Sequence, residues 1–262
     1  MTRTLIGGPA QVRVAVISPH LDDAALSLGA SVSQAASLGT SITFLTVLAG
    51  DPDSTAPAGA WDRECGFATV GEAARERRHE DERACRILGA VPRWLPYPDE
   101  QYARNESDDE IMRAVEAEVA EADLVLLPGY PLTQPDHVWL TGLLAPRLSQ
   151  GSRLGFYVEQ PYASWIRLKG GGARGVLGAG EMLMRRWRNG DALGTRPYPV
   201  SSHLGLEWRR STPQASAWLA KRSAIRAYAS QLNGLGRHLA GRILLYDAAS
   251  GGEELALPAR IV

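Results

Sequence analysis

Short apolar runs alternate with amphipathic stretches along the first 160 residues of the chain. Residues 12–18 form a β-branched run, a stretch with helical periodicity extends from Asp22 to Gly39, and residues 41–50 form a second apolar run. A strand, a helix and a strand in this order predict a βαβ unit, in which a right-handed crossover joins two parallel strands. The chain therefore begins as a doubly wound α/β domain.

The same alternation continues to residue 158. Ser107 and Glu110 form a capping box that predicts the start of one helix, and Gly89 is a typical end for the helix before it. In chain order, the further predicted elements are a helix over 72–88, a helix over 107–120, a strand over 123–127, a helix over 136–148 and a strand over 153–158. This pattern is typical of three α/β/α layers around a mostly parallel sheet. We therefore predict one Rossmann-like α/β domain spanning residues 1–262.

Residues 163–200 interrupt the alternation with sequence rich in glycine and arginine. From Arg167 to Arg196 there are seven basic residues and two acidic ones. A solvated surface excursion with local positive charge is the first interpretation, and a mobile lid that meets an anionic substrate is the alternative.

Two further elements are predicted in the C-terminal region. Thr212 and Pro213 supply an N-cap and a first-turn proline for a helix that extends to about Leu232. The apolar run 242–246 is predicted as a short closing strand. We find no internal repeats or tandem modules.

Composition excludes several classes of protein. The chain has 262 residues, 45% of them hydrophobic and 22% charged, which is typical of a globular domain rather than of a disordered segment. Its net charge of -1 argues against nonspecific binding of nucleic acid. Cys65 and Cys85 lack the spacing of a zinc or redox motif, and no apolar stretch is long enough to span a bilayer. We expect a cytoplasmic protein without nucleic-acid or membrane partners.

The segment from Ser18 to Asp23 places reactive residue types where the first strand meets the first helix. Ligands of open α/β sheets bind outside the carboxyl ends of the strands, so a site is expected at this position. One histidine, His20, and two adjacent carboxylates, Asp22 and Asp23, are typical of a metal centre. The alternative is that one of the aspartates only caps the helix.

A second candidate segment, Gln134–His137, follows the predicted strand 123–127. Catalytic zinc takes about three protein ligands from His, Asp and Glu and leaves one position for water. His20, one of the two aspartates and His137 would supply that set. We expect the remaining histidines in surface or packing roles: His79, His203 and His238.

These motifs together resemble those of a known family. Ser18–Asp23 is similar to the His-x-Asp-Asp motif of the LmbE-like (PIG-L) zinc-dependent N-deacetylases, which include N-acetylglucosaminyl-phosphatidylinositol and mycothiol-pathway enzymes. The resemblance covers residues 12–232 and includes, in the same order, segments 61–67, 77–81, 88–89, 99–102, 134–137, 157–163 and 221–231. It implies the LmbE-like deacetylase fold.

The resemblance also implies roles for individual residues. His20, Asp23 and His137 are implied as ligands of Zn²⁺, and other divalent ions can occupy such sites. Asp22 is implied as the general base, which takes a proton from the attacking water and later passes it to the departing amine.

Two positions depart from the family pattern. Ala24 stands where the family usually has a glutamate, and we expect this change to remove a contact outside the ligand set. Gln134 stands where the family has a histidine that assists the oxyanion or protonates the leaving group. Glutamine can donate a neutral hydrogen bond but cannot supply a proton or a positive charge, so Gln134 is a catalytic candidate with a reduced role.

Five further positions are candidate substrate-binding residues: Asp51, Arg77, Asp136, Glu159 and Tyr162. Asp51 and Glu159 follow predicted strands and could line a pocket, and Tyr162 could stack on a sugar. Each has an ordinary structural alternative. Acids at strand ends often make turns or caps, charged helices such as that of Arg77 often present a solvated face, and aromatic residues often pack.

The expected activity is removal of an N-acyl group, most simply N-acetyl, from an amino sugar or a related small metabolite in a specialised biosynthetic pathway. Hydrolysis of another amide, such as an N-acyl amino acid or a thiol conjugate, is one alternative. A catalytically reduced metal-binding relative is another, because of Gln134. A nucleotide-binding Rossmann protein is disfavoured, since the first strand-to-helix turn lacks the G-x-G-x-x-G glycines. A homo-oligomer is left open.

Overall fold

The computed structural model of the protein describes residues 12–149, 154–168, 173–189 and 205–258. Within them lie the strands β1 Arg13–Ser18, β2 Ser41–Thr46, β3 Val91–Trp94, β4 Leu124–Tyr130, β5 Leu154–Val158, β6 Leu206–Ser211 and β7 Glu253–Pro258. The helices of the same residues are α1 Asp23–Ser37, α2 Ala60–Glu64, α3 Val70–Leu88, α4 Asp108–Val119, α5 Pro135–Leu148, α6 Tyr162–Leu168, α7 Ala173–Asn189, α8 Ala215–Ala227, α9 Ala229–Leu235 and α10 Leu239–Ser250.

The strands form one sheet in the order β3-β2-β1-β4-β5-β7-β6. The first five strands are parallel, and β7 is antiparallel to both of its neighbours. In the centre of the sheet, Val16 of β1 lies in register between Phe44 of β2 and Leu126 of β4. The chain moves outward in opposite directions from β1 and β4, so the topological switch point, where α/β sheets bind ligands, lies between these two strands.

A hydrophobic core covers each face of the sheet. Val14 and Val16 of β1 belong to a core shared with α1, α3 and α8, whereas Ala15 and Ile17 belong to a core shared with α4 and α5. Successive side chains of a strand point to opposite faces, so a strand buried on both faces needs an uninterrupted apolar sequence. The predicted α/β fold with three layers and a mostly parallel sheet is confirmed.

The prediction of a strand at residues 242–246 is wrong, because these residues lie within α10. Ile243 and Tyr246 of α10 are buried at helical spacing. An apolar run of five residues does not by itself distinguish a buried strand from a buried helical segment. The strand in this region is instead β7, which follows the left-handed turn at Gly251 and Gly252 and begins with the buried Glu253.

Other boundaries also differ from prediction. The helix predicted from Thr212 to Leu232 is two helices, α8 and α9, which are separated at Tyr228. The strands β3 and β6 at the two edges of the sheet and the short helix α2 were not predicted. Edge strands lack the continuous apolar sequence of central strands, so their sequence signal is weak.

The basic excursion is helical where the structure describes it, rather than an irregular loop. It contains α6 and α7, and Ala179 and Met182 of α7 pack against Tyr246 and Ala249 of α10. The rest of the predicted excursion, residues 169–172 and 190–200, lies outside the described residues. Among the described helices, none is both long enough and apolar enough to cross a membrane.

A buried ionic cluster joins the C-terminal elements to α1. Lys221 of α8 is fully buried, and its Nζ donates to Asp247 Oδ2 of α10 and to Glu253 Oε1 of β7, both at 2.7 Å. The Glu253 carboxylate also accepts from the backbone N–H groups of Ala30 and Ser31 in the middle of α1, at 3.0 and 2.6 Å. Burial raises the pKa of Asp247 to about 7, against the opposing effect of the Lys221 charge.

Candidate active site

The candidate site lies at the carboxyl ends of β1, β4 and β5. His20 is in the turn between β1 and α1, and Asp23 is the first residue of α1. His137 is in the first turn of α5, which follows β4, and Glu159 directly follows β5. Because β1, β4 and β5 are adjacent and parallel, their carboxyl ends bring these four side chains to one edge of the sheet.

Three side-chain atoms form a nearly equilateral triangle. Asp23 Oδ2 lies 3.3 Å from His20 Nδ1 and 3.2 Å from His137 Nε2, and the two histidine nitrogens are 3.2 Å apart. A tetrahedral zinc ion with ligands at 2.0–2.1 Å has ligand atoms about 3.3–3.4 Å apart. In the described part of the chain, these three residues are the only group of His, Cys, Asp or Glu side chains with metal-binding spacing. The donor set and its spacing therefore fit a divalent cation such as Zn²⁺.

Each imidazole is held by a carboxylate on its other nitrogen. His137 Nδ1 lies 2.6 Å from Glu159 Oε1, and His20 Nε2 lies 3.1 Å from Asp136 Oδ2. Such contacts fix the tautomer of a metal-binding histidine and direct its free nitrogen toward the metal. Glu159 also accepts from the Leu132 backbone N–H at 2.9 Å, so its own position is fixed.

Asp136 is buried and has further partners. It accepts from the Glu100 backbone N–H at 2.9 Å and from the Arg104 guanidinium at 3.0 Å. Arg104 in turn lies over the Trp139 ring, 3.7 Å from its centroid. The loop before α4 therefore supports His20 through Asp136.

Asp22 does not cap α1. It occupies the N-cap position without a side-chain hydrogen bond to the helix, and Ser18 Oγ instead accepts from the Ala24 backbone N–H. Asp22 is buried and faces the cavity beside the triangle. Its burial, together with the Asp23 charge, raises the pKa of Asp22 to about 7.

The carboxylates of the site raise the pKa values of both histidines. Burial alone would lower the pKa of His137, but Asp23 and Glu159 outweigh it and raise the value to about 9. For His20, Asp136 and Asp23 likewise outweigh burial and raise its pKa. Because metal ligation requires neutral imidazoles, metal binding must release these protons.

A cavity of about 280 Å³ opens in front of the triangle. Five acidic side chains are among its described lining residues: Asp22, Asp23, Asp99, Glu100 and Asp136. Trp61 and Tyr162 supply aromatic walls, and the Tyr162 ring meets that of His137 edge to face with centroids 5.2 Å apart.

The structure brings some of the predicted substrate-binding residues to the cavity and places others elsewhere. Arg77 and Tyr162 line the cavity, and the Arg77 guanidinium is paired with Asp62 at 2.6 Å. Asp51 is exposed in a turn, where its carboxylate accepts from the Asp53 backbone N–H, and it does not line this cavity. Glu159 is buried behind His137, which gives it a positioning role instead of substrate contact.

Gln134 lies at the N-cap of α5 and lines the cavity. Its Oε1 accepts from the His137 backbone N–H at 3.0 Å, and its Nε2 donates to Glu100 Oε1 at 3.3 Å. Both ends of the amide are therefore engaged, and the side chain is oriented. Its one donor group points toward a carboxylate of the cavity wall.

Sequence reasoning did not single out Glu100 or Arg104 as site residues. Both lie between β3 and α4, in a segment without regular periodicity; Glu100 lines the cavity directly, and Arg104 reaches it through Asp136. The signal that could have found them is the resemblance to the family of segment 99–102, which contains Glu100 and lies just before Arg104, since loops after strands form the sites of α/β folds.

Comparison with known proteins gave a family match and several similar structures. The model of the family described as PIG-L, GlcNAc-PI de-N-acetylase, matches residues 15–145. The structure of the A40926 pseudoaglycone deacetylase Dbv21 is 27% identical, with a TM-score of 0.70, and the match covers 95% of this chain and 97% of that one. A search of curated proteins gave no match.

Two further structures are similar in fold. A deacetylase from teicoplanin biosynthesis, solved in complex with teicoplanin, is 21% identical with a TM-score of 0.69, and 94% of this chain and 97% of that chain are covered. GalB, the 4-carboxy-2-hydroxymuconate hydratase from Pseudomonas putida KT2440, is 17% identical with a TM-score of 0.56. This match covers 90% of this chain and 85% of that chain.

The family match extends over half of the chain and contains all three residues of the triangle, together with Asp22 and Gln134. The expected enzyme class, a hydrolase acting on N-acetyl amide bonds, is thereby confirmed. The chain belongs to the PIG-L, or GlcNAc-PI de-N-acetylase, family.

Proposed function

We propose that the protein is a metal-dependent N-deacetylase that releases acetate from an N-acetylated amino sugar attached to a secondary metabolite. The triangle formed by His20, Asp23 and His137 is the observation on which this proposal depends. The family match supports the reaction, and the A40926 pseudoaglycone deacetylase supports the class of substrate. Zn²⁺ is the proposed metal, because two imidazoles and one carboxylate are a typical catalytic zinc set.

The residues of this chain divide the work of amide hydrolysis. A divalent cation held by the triangle supplies Lewis-acid polarisation of the acyl carbonyl and lowers the pKa of water when bound. Asp22 accepts the proton of the attacking water, since it is buried beside the triangle and makes no helix cap. It then returns that proton to the departing amine. Tyr162 covers His137 and limits access of bulk water to this side of the cavity.

The charge of the cavity favours a neutral substrate and a cationic product. Among its described lining residues are five carboxylates and one arginine, Arg77, which is paired with Asp62. A neutral acetamido sugar enters without charge repulsion, whereas an anionic group near the amide would be repelled. The amine formed by hydrolysis becomes an ammonium ion, which these carboxylates stabilise.

Turnover by the Asp22→Asn variant tests the mechanism. Asparagine keeps the shape of the side chain but cannot accept the proton, so we expect kcat to fall by about 10²–10⁴-fold. The metal content should stay unchanged, because Asp22 lies outside the triangle. The two measurements are the free amine released from an N-acetylglucosamine glycoside and the metal bound to the protein. Asp53→Asn, on an exposed loop, is the matched control. Undiminished hydrolysis by Asp22→Asn would remove Asp22 from the base role.

Gln134 favours a second candidate, a metal-binding relative with reduced catalysis. Its amide is engaged by His137 and Glu100 and supplies no proton. A panel of N-acetylated sugars, N-acyl amino acids and thiol conjugates separates the candidates. Turnover of a sugar supports the proposed deacetylase, turnover of another amide changes its substrate, and metal binding without any turnover supports the reduced relative.

A further inference from the structure

A second cavity, of about 570 Å³, lies beside the catalytic one. It is bordered by α6, α8, α9 and α10, and we call it the arginine groove. Four arginines line it: Arg222 and Arg226 of α8, Arg237 between α9 and α10, and Arg242 in the first turn of α10. Among the described residues that line this groove, none is acidic.

The arginines of the groove have no anionic partner among the described residues. Arg222 and Arg226 are one helical turn apart, so both project from one face of α8. Neither they nor Arg237 and Arg242 form an ion pair within the part of the chain that the structure describes. The Nε of Arg242 is buried and has no hydrogen-bond partner. Arg222, Arg226 and Arg237 are exposed and Arg242 is half-buried, so the four guanidinium groups present a positively charged surface that can receive an anionic ligand.

The floor of the groove is apolar. Leu232, Leu235 and Leu239 line it, and they belong to the small core between α1, α8 and α10. Trp165 of α6 is partly exposed at its edge. A ligand that satisfies both the floor and the arginines has an apolar body and a negative charge.

The groove adjoins the catalytic cavity. Leu235 lines both. Trp165 packs edge to face on Tyr162, with centroids 5.5 Å apart, and Tyr162 is the aromatic wall of the catalytic cavity beside His137. One molecule can therefore extend from the acidic cavity into the basic groove, and the opposite charges of the two would fix its orientation.

We propose that the arginine groove binds a carboxylate- or phosphate-bearing apolar part of the substrate whose N-acetylated sugar occupies the catalytic cavity. This inference rests on the proposed function for the identity of the ligand. The preferred substrate is then an anionic amphipathic molecule that carries an acetamido sugar. The groove selects the scaffold, and the triangle with Asp22 acts on the sugar.

Direct binding tests the groove without turnover. The probe is 2-naphthyl phosphate, titrated calorimetrically into the full chain, and the test variant is Arg222→Gln with Arg226→Gln. We expect the dissociation constant to rise by about tenfold or more in this variant, because each guanidinium–phosphate contact is charge-assisted. The control, Arg93→Gln with Arg113→Gln, removes the same charge from exposed sites elsewhere and should bind like wild type.

Two further ligands separate the contributions to binding. Inorganic phosphate lacks the apolar body, and 2-naphthol lacks the charge, so both should bind more weakly than 2-naphthyl phosphate. Equal binding of inorganic phosphate would reduce the groove to a simple anion site and overturn the proposal. Failure of wild type to bind 2-naphthyl phosphate at 5 mM, or equal loss in both double variants, would also overturn it.

Steady-state kinetics connect the groove to the reaction. The substrates are a carboxynaphthyl N-acetylglucosaminide and its methyl ester. The Arg222→Gln and Arg226→Gln double variant should raise KM about tenfold for the carboxylate with kcat unchanged, and should leave KM for the ester unaltered. An equal effect on both substrates contradicts the proposal. If wild type hydrolyses neither substrate, the proposed function fails, and the binding titrations still decide whether the groove takes anionic ligands.

Discussion

Glu159 and Asp136 determine how the two histidines of the triangle are presented. Each accepts the proton of an imidazole nitrogen that points away from the triangle, and neither is itself part of it. Their contribution should therefore appear in metal affinity before it appears in protein stability, because they orient ligands that are already buried by other contacts.

The Glu159→Gln variant tests this role. Glutamine can still accept from His137 Nδ1, but its amide NH₂ then faces the Leu132 backbone N–H, and the negative charge behind the imidazole is lost. We expect metal affinity to fall about 10–100-fold, measured by competition with a chromophoric chelator. Glu118→Gln on the exposed side of α4 should bind metal like wild type. Unchanged affinity in Glu159→Gln would show that Glu159 does not position His137.

At this scale the sequence could propose the site but not all of its internal roles. His20, His137 and one of the aspartates Asp22 and Asp23 were candidates because their motifs follow strands whose carboxyl ends meet, and the resemblance to the family implied Asp23. The burial of Glu159 and the hydrogen bonds of Asp136 depend on how β5 and the segment before α4 approach the histidines. Such long-range contacts leave no local periodicity, so both residues were predicted only as substrate-binding candidates.

Asp81 joins three elements and makes their packing sensitive to pH. On α3, it accepts from Trp94 Nε1 of β3 at 2.8 Å and from the Tyr228 hydroxyl, between α8 and α9, at 2.7 Å. Burial outweighs these hydrogen bonds and raises the pKa of Asp81 from 3.8 to about 6. The protonated carboxyl is favoured by folding, so its stabilisation is present below pH 4 and is lost as the pH rises through 6.

We therefore expect Asp81 to lower the free energy of unfolding by about 2 kcal/mol between pH 4 and pH 7. Denaturant titrations across this range compare wild type with Asp81→Asn, in which the titrating group is absent and the other groups are shared. As the pH rises, the free energy of unfolding of wild type should fall relative to that of Asp81→Asn. Parallel curves would contradict the assignment.

The ionic cluster around Lys221 links α8, α10, β7 and α1. Lys221→Met should lower the free energy of unfolding by about 3–5 kcal/mol, because Asp247 and Glu253 are left buried without their cation. Urea or guanidinium titration measures the loss, and Arg113→Met on exposed α4 is the control. Adding Asp247→Asn and Glu253→Gln to Lys221→Met should restore part of the stability, and no recovery would contradict this explanation.

Element prediction succeeded where a strand or helix has one continuous periodicity. The first βαβ unit and the capping box at Ser107 are both present in the structure. Prediction failed at β7, because Glu253 and Glu254 at its start are charged residues that become buried only through partners on other elements, Lys221 among them. The apolar face through which α10 packs led to the incorrect prediction of a strand at 242–246.

At the scale of the whole molecule, metal binding should stabilise the fold. The triangle joins residues from the two βα turns on either side of the switch point, which come together only in the native state. A metal at about 100 times its dissociation constant raises the free energy of unfolding by about 2.7 kcal/mol. Thermal or denaturant unfolding with Zn²⁺ and after chelation measures this shift.

The shift should disappear in His137→Ala and persist in His79→Ala, which alters an exposed histidine of α3. Stabilisation of His137→Ala by Zn²⁺ to the same extent as wild type would place the metal elsewhere. The effect should also weaken at acidic pH, because the carboxylates of the site raise the pKa values of both histidines and protons then compete with the metal.

The bond between Glu253 and the middle of α1 bears on where this enzyme can be divided. The family model ends at residue 145, yet two backbone N–H groups of α1 donate to the Glu253 carboxylate, more than 220 positions later in the chain. A fragment cut at that boundary would keep every residue of the triangle and lose Glu253, the carboxylate that accepts these two hydrogen bonds from α1. The catalytic half is thus not an autonomous module, and recombining halves from different relatives requires the final strand and the first helix to be inherited together.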